Sequence, residues 1–477
     1  MSTDVDWLLA GMGRVWAPVA TPLGLALALA VTGHALLRKR DVAACIGWIG
    51  LAWLAPTWGA LIYFMFGINR VERRARRLTR ARRDRKRTAH LPVYEIADHL
   101  APLERAVREI TNRLAEGETA VTVFRNGDEA YPAMLAAIDG ARASVGLSTY
   151  IMRDDAVGRR FVEALAAARV RGVEVRVLID GIGSGYFPAI VRRLRRAGVP
   201  VDLFMHSALP WRMPFLNLRN HKKLLVLDGT VGFAGGVNIS AANVLADDPP
   251  APVSDTHFRF EGPLVAQLTD DFARDWSFTT DEDLHGEAWF PELRGKGSAA
   301  ARVITSGPDQ DFEKIQFVLL EAIACAQSSI KLMTPYFLPS EEIVTSLALA
   351  AVRGVKVDVI VPSRSDHRFV DLAMRAHIAP LLERGVRFWS GPPPFNHSKL
   401  FVVDREWCLV GSANWDTRSL RLNFELNVEV HSTELAAELG AIMKARQQTR
   451  LRLRNLTART LPVRLRDAGI RLLLPYI

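Results

Sequence analysis

The chain has 477 residues, 49% of them hydrophobic, and 61 Lys and Arg against 51 Asp and Glu give it a formal net charge of +10. Three scattered cysteines, Cys45, Cys325 and Cys408, offer neither a disulfide framework nor a metal site. A single run, Arg70 to Arg87, holds eleven basic residues against Glu72 and Asp84, so the remainder is near neutral and nucleic-acid affinity is not a property of the whole protein.

Two apolar segments open the chain. Val15 to Leu37 and Val42 to Asn69 carry no charged residue, and each is long enough at 1.5 Å rise per residue to span a hydrocarbon core of about 30 Å. Two transmembrane helices are therefore expected, at about 15–37 and 42–68, in a membrane anchor covering 1–69. Trp16, Trp48, Trp53, Trp58 and Tyr63 are candidate interfacial anchors. A cleaved signal peptide fits less well, because Asp4 and Asp6 precede the first segment and a second apolar segment follows at once. The basic run just beyond puts the body of the chain on the cytoplasmic side, facing anionic headgroups. Arg38-Lys39-Arg40, between the two segments, pulls the other way; either the larger block wins or one segment is re-entrant.

After a basic linker (70–115), two similar units follow, expected at 116–290 and 291–450, with a basic amphipathic tail at 451–477. Ala143 to Tyr150 resembles Ser328 to Tyr336, and Arg171-Gly172-Val173-Glu174-Val175 resembles Arg353-Gly354-Val355-Lys356-Val357. Each copy reads as strand, helix, strand, further helix and then a hairpin, with Ala-rich helical stretches alternating with buried strands such as Val175 to Ile179. The fold class is α/β. Leu209 to Leu216, apolar with one Arg, leads into the first hairpin and reads as a lipid-facing loop, as does the tail.

Each hairpin carries the same set of residues. His221-Lys222-Lys223, Asp228 and Gly235-Gly236-Val237-Asn238 recur 176 residues later as His397-Ser398-Lys399, Asp404 and Gly411-Ser412-Ala413-Asn414. In a strand, residues two apart share a face, so His221 and Lys223 meet one ligand, as do His397 and Lys399. Asp228 and Asp404 fall where an apolar run gives way to a tight turn, which favours a structural role over direct chemistry. Gly235 and Gly411 would let backbone approach a ligand, and Asn238 and Asn414 would donate to an anionic oxygen. Ser412, facing Gly236 in the other copy, reads as a phosphate or hydroxyl contact. A carboxylate heads each following segment, Asp255 and Glu425, suited to orienting a histidine.

Two histidines, two lysines, two asparagines and two acids suffice for metal-free displacement at a phosphodiester. One imidazole attacks phosphorus, the other protonates the leaving alkoxide, and Lys and Asn hold the non-bridging oxygens. No cofactor or nucleotide-binding loop is called for.

The duplicated HxKxxxxD pattern resembles the phospholipase D superfamily. Within it, Asn220-His221-Lys222-Lys223, Gly411 to Leu420, Asn423-Phe424-Glu425 and the paired N-terminal apolar segments look like the bacterial cardiolipin synthases. The resemblance implies two phospholipase D-like α/β domains related by a pseudo-twofold axis, each a mixed sheet flanked by helices, at the bacterial inner membrane. It implies transfer of a phosphatidyl group from one phosphatidylglycerol to another, with release of glycerol through a phosphatidyl-histidine, and His221 as nucleophile with His397 as general acid and base. Hydrolysis, or exchange with another alcohol headgroup, is the alternative.

Overall fold

The computed structural model describes residues 22–39, 42–67, 95–206, 218–308 and 311–471. The basic run at 70–87, the loop at 209–216, residues 15–21 of the first apolar segment and the last six residues of the tail lie outside that set.

The N-terminal part is a unit of its own. Residues 22–38 form one helix, and the return path is a helix Val42–Leu54, a second helix Pro56–Ile62 and a π-helical turn Tyr63–Gly67. Pro56 lacks an amide hydrogen, so the regular ladder breaks there. Small residues line the contact between the paths: Ala28, Ala35, Ala52 and Ala60 are buried. Two side-chain pairs link the paths, His34 Nδ1 with the Tyr63 hydroxyl at 2.7 Å, partly buried, and Trp53 Nε1 donating to Thr32 Oγ1 at 3.1 Å on the exposed surface. The outer surface is apolar, with Leu23, Leu29, Leu36, Leu37, Ile46, Leu54 and Trp58 exposed. No described helix is long and apolar enough to cross a membrane, so the two full-length spans expected from the sequence are not formed by the described residues.

The rest of the described chain builds two copies of one pattern. In the first half the strands are β1 (Glu116–Arg125), β2 (Ser144–Thr149), β3 (Glu174–Asp180), β4 (Val201–Phe204), β5 (Leu224–Leu227), β6 (Val231–Gly235), β7 (Val253–Ser254) and β8 (Thr256–Glu261). In the second they are β9 (Ala299–Ser306), β10 (Ser329–Met333), β11 (Phe337–Leu338), β12 (Lys356–Pro362), β13 (Arg387–Gly391), β14 (Phe395–Asn396), β15 (Leu400–Val403), β16 (Trp407–Gly411), β17 (Trp415–Asp416), β18 (Glu425–His431) and β19 (Thr449–Leu451). Outward from the centre the first half runs β1-β8-β6-β5-β2-β3-β4 and the second β9-β18-β16-β15-β10-β12-β13-β19.

The two mixed sheets are joined. β1 pairs antiparallel with β9, through Glu116 with Ala301 and Thr119 with Ala299, making one continuous sheet of fifteen strands. The sequence reading had a sheet in each half and no join. Pairing the two inner edges satisfies backbone groups that would otherwise stand open.

Helices cover both faces. Val145 and Leu147 of β2 point to the core beneath helices Asn126–Gly140 and Ala156–Val170, while Gly146 points to helix Leu264–Thr280. A side chain at Gly146 would meet the Phe272 ring at 2.5 Å, and one at Gly232 would meet Leu268 at the same distance. The absent side chains let that helix lie close to the sheet. Burial of Phe272, Leu268 and Trp276 contributes about 1.5–3 kcal/mol for each large side chain.

Candidate active site

Each motif begins with a hairpin that its turn residues fix. Asp228 and Gly229 have φ of +50° and +61°, and Asp404 and Arg405 +51° and +64°, the left-handed pair that matches the twist of a tight hairpin. The aspartate carboxylates then grip the neighbouring strand. Asp228 accepts from the backbone amides of Arg142, Ala143 and Ser144 at 2.7–3.1 Å, and Asp404 from those of Gln327, Ser328 and Ser329 at 2.7–2.8 Å. Six residues of extended chain, roughly 20 Å, separate each aspartate from its histidine. Their main-chain partners are the amides that open β2 and β10, and Asp404 adds the Ser328 hydroxyl at 2.8 Å and His99 Nε2 at 3.1 Å.

At the other end of the hairpins the halves meet. The residues before His221 run parallel to the stretch before Glu425: Phe424 N donates to Arg219 O at 2.8 Å and His221 N to Phe424 O at 2.9 Å. The residues before His397, β14, run parallel to β7 before Asp255, and His397 N donates to Ser254 O at 2.7 Å. Each histidine is thus laid beside the acid of the opposite half. His221 Nδ1 lies 3.0 Å from Glu425 Oε2, and His397 Nδ1 lies 2.9 Å from Asp255 Oδ2. The two rings face one site, their centroids 6.3 Å apart and their planes at 76°.

The lysines complete the site by period-two alternation. Lys223 Nζ donates to His221 O at 2.5 Å and lies 5.1 Å from the centre of the Tyr150 ring, and Lys399 Nζ is 3.0 Å from His397 Nε2. Lys222, between His221 and Lys223, points the other way, into helix Leu264–Thr280, where its ammonium sits 2.8 Å from both Asp271 and Asp275. Asn220 Nδ2 also donates to Asp275, at 3.3 Å, so the base of the motif is fastened to that helix.

All six titratable groups are buried, which sets their protonation. Burial, with the charges of Lys223, Lys399 and His397, holds His221 well below the ordinary imidazole range. Burial and Lys399 also lower His397, against the pull of Asp255. Lys223 is brought down to about 7 and Lys399 to about 8, in both cases by burial first. The two acids part company. Burial lifts Glu425 to about 7, while at Asp255 the hydrogen bond with His397 and the charges of Lys399 and His397 outweigh burial and hold the carboxyl below its usual range. The pairs are alike in geometry and unlike in charge.

Several expected contacts turn out differently. The Ser412 hydroxyl is committed to Glu425 Oε2 at 2.5 Å, and its carbonyl faces His221 Nδ1 at 3.1 Å, so it holds the dyad instead of meeting a substrate. Gly236 leaves the matching space to Asp255, whose Oδ1 would be 2.2 Å from an added Cβ. Gly235 and Gly411 admit the adjoining strand, not a ligand: an added Cβ would stand 2.8 Å from His257 and 2.4 Å from Leu426 O. Asn238 and Asn414 each keep a buried side-chain oxygen, an acceptor, without a hydrogen-bond partner. Missed by the sequence reading as site residues were Tyr150 and Tyr336, whose rings lie 4.8 Å from His221 and 6.3 Å from His397. Their recurrence at the end of the two aligned β2 and β10 segments was the available signal.

Comparison with known proteins agrees with this geometry. A family described as "Cardiolipin synthase, PLD-like domain" matches residues 134–276 and 319–446. Cardiolipin synthase A of Pseudomonas aeruginosa (strain LESB58) is 34% identical over 426 residues, 86% of each chain. The cardiolipin synthase of Geobacillus thermodenitrificans (strain NG80-2) is 33% identical over 414 residues, 84% of this chain and 82% of that one. Among solved structures, phosphatidylserine synthase of Haemophilus influenzae Rd KW20 superposes with a TM-score of 0.61 at 13% identity, covering 79% of this chain and all of that one, a likeness of fold.

Proposed function

The chain belongs to the cardiolipin synthase family of phospholipase D-like phosphatidyltransferases, and from that premise we propose that it joins two phosphatidylglycerols through a covalent intermediate on His221. The observation that carries this is the pair of imidazoles 6.3 Å apart, each with Nδ1 beside the other half's carboxylate, so that both rings present to the space between them, His397 Nε2 with Lys399 Nζ 3.0 Å away.

In the first step Nε2 of His221 attacks phosphorus and glycerol departs with a proton from His397. In the second, the glycerol hydroxyl of another phosphatidylglycerol gives its proton to His397 and attacks the same phosphorus, freeing His221. Lys223 and Lys399, with the amides of Asn238 and Asn414, hold the non-bridging oxygens. The unequal acids support this division of labour. His221 is the more strongly neutralised ring, as a nucleophile must be, and Asp255, the more firmly ionised acid, favours the imidazolium of His397. One phosphodiester replaces another, so no activated donor is required. Asp228 and Asp404 act on the scaffold.

The N-terminal unit, its outer surface lined with leucines, serves as the membrane anchor at the inner face of a bacterial cell membrane, from which the lipid substrates are drawn.

Incubation of the purified protein with phosphatidylglycerol in detergent micelles tests the reaction. The expected products are cardiolipin and free glycerol in equal amounts, with a loss of at least about a thousandfold in His221→Ala and His397→Ala. Phosphatidic acid as the main product would make the protein a hydrolase. Cardiolipin formation by the double variant would remove both histidines from the mechanism.

A further inference from the structure

A basic cleft lies outside the site described above. Helix Ala189–Arg196 buries Ile190, Val191 and Leu194 against the first half and exposes Arg192, Arg193, Arg195 and Arg196. Between it and helix Ala156–Val170 is a cleft of about 470 Å³, within the size range of small-ligand sites. Arg159, Arg192, Arg193 and Arg196 line it, together with Asp154 and Glu163. Four guanidiniums share this concavity with two carboxylates.

The acids do not cancel the arginines. Asp154 stands between two of them, accepting from Arg159 Nε and Arg193 Nε, each at 3.0 Å, and from Arg193 Nη2 at 3.3 Å. One carboxylate therefore braces two guanidiniums and leaves Nη1 of each out of its bonds. Arg192 Nη1 donates to the Phe187 carbonyl at 3.2 Å, and among the described residues no carboxylate pairs with Arg192 or Arg196. A run of arginines on a convex face is ordinarily just solvated. Guanidiniums braced around one concavity are instead preorganised to give a phosphate several charge-assisted hydrogen bonds at once.

The place of the cleft in the fold points to the kind of phosphate. β2 and β3 are parallel, and the chain leaving each leads into one of the two helices, through Tyr150 to Asp155 and through Gly181 to Pro188. Both helices therefore start at the strand ends where the Tyr150 ring lies 4.8 Å from the His221 ring. Just before the second helix Phe187 is 66% exposed, its ring 4.8 Å from that of Tyr186. Arginines beside an exposed aromatic ring suit the boundary between lipid headgroups and acyl chains. We propose that the cleft is a second, non-catalytic site, in which Arg192 and Arg196, supported by Arg159 and Arg193, hold the phosphate of an anionic phospholipid headgroup and seat this edge of the catalytic body on the lipid surface. Free phosphate shares that chemistry, and the exposed Phe187 favours the lipid. No bond is made or broken in the cleft, and the site does not depend on the transfer reaction.

The test uses the full-length protein in neutral detergent micelles, as the His221→Ala, His397→Ala double variant so that lipid is not consumed. Phenylglyoxal modifies accessible guanidiniums, and mass spectrometry follows the rate at each arginine. Arg160, exposed on helix Ala156–Val170 but outside the cleft, is the internal control. Phosphatidylglycerol at ten times its dissociation constant should slow modification of Arg192 and Arg196 by about tenfold. Diacylglycerol, which lacks the phosphate, should not. With Arg196→Gln added, protection of Arg192 should need about tenfold more phosphatidylglycerol, the loss expected for a charge-assisted contact. Inorganic phosphate without lipid separates the two sources. Protection by the lipid that phosphate at equal total concentration does not match supports the headgroup, and matching protection overturns the lipid-docking role. Unchanged rates at Arg192 and Arg196 overturn the site, as does equal slowing at Arg160, which marks general coating by the micelle. Every reading is taken without turnover, so failure of the cleft and failure of the transfer reaction are told apart.

Discussion

At the residue scale, the site balances a buried acid that resists ionising against buried lysines that resist protonation. Transfer needs Glu425 ionised to steady His221, and Lys223 and Lys399 protonated to hold phosphate oxygens. Glu425 is raised to about 7, so activity climbs as pH rises through that value. Lys223 and Lys399 are lowered to about 7 and about 8, so activity falls as pH rises through theirs. These groups titrate as a set, and kcat/KM should follow a narrow bell with its maximum near 7. Ser412 gives the sign a direct check. Its hydroxyl stabilises the ionised form of Glu425. In Ser412→Ala the acid limb should move to higher pH and the maximum fall by about fivefold, the worth of one buried hydrogen bond. A pH–rate profile of this variant with an unmoved acid limb would refute the role given to Ser412.

At the element scale, the hairpin is the unit that was copied. Asp404 bonds three backbone amides and the Ser328 hydroxyl, tying the turn between β15 and β16 to the start of β10. Burial raises its carboxyl, the amide bonds outweigh burial, and the folded pKa lies below the ordinary value. Its contribution to stability is therefore full above the unfolded carboxylate value of about 4 and is lost as pH falls through the depressed folded value. Asp404→Ala should lower stability by about 2–4 kcal/mol near neutral pH, read by denaturant unfolding, while cardiolipin formation per folded molecule stays within about threefold. A folded variant with a thousandfold loss of rate would return this aspartate to the chemistry. The hairpins were legible in the sequence because Asp228-Gly229 and the flanking apolar runs are local signals, and the aspartates' place in the turn was legible with them. Gly235, Gly411 and Ser412 were not: a small residue in a strand announces a close approach but not what approaches, and here it is β8, β18 and Glu425.

At the scale of the whole molecule, the duplication was legible and the way its copies interlock was not. The repeat at 176 residues fixes two equivalent units, but the joining of β1 to β9, and of β14 to β7, is contact between segments far apart in the chain, with no periodicity to mark it. The crossing of the acids follows from that interlock. Beneath the site, Arg274 touches Asp271 at 2.5 Å and Asp311 of the other half at 3.1 Å, so the helix that anchors Lys222 is also held by the second half. Crossing has a kinetic signature. A phosphatidyl ester with a good leaving group, such as nitrophenol, needs no proton from a general acid but still needs a nucleophile. With His221 as nucleophile and His397 as acid, His397→Ala should recover phosphoenzyme formation on that ester to within about tenfold of wild type, and His221→Ala should not. The acids then sort by whom they serve. Because Asp255 bonds His397, Asp255→Asn should be rescued along with His397→Ala, although Asp255 follows His221 in its own copy. Glu425→Gln, whose parent bonds His221, should stay as slow as His221→Ala. Rescue of Glu425→Gln in place of Asp255→Asn would mean either that the two histidines exchange roles or that each acid serves its own half. Trapping the phosphohistidine and locating it separates those outcomes, because only the first moves the label to His397.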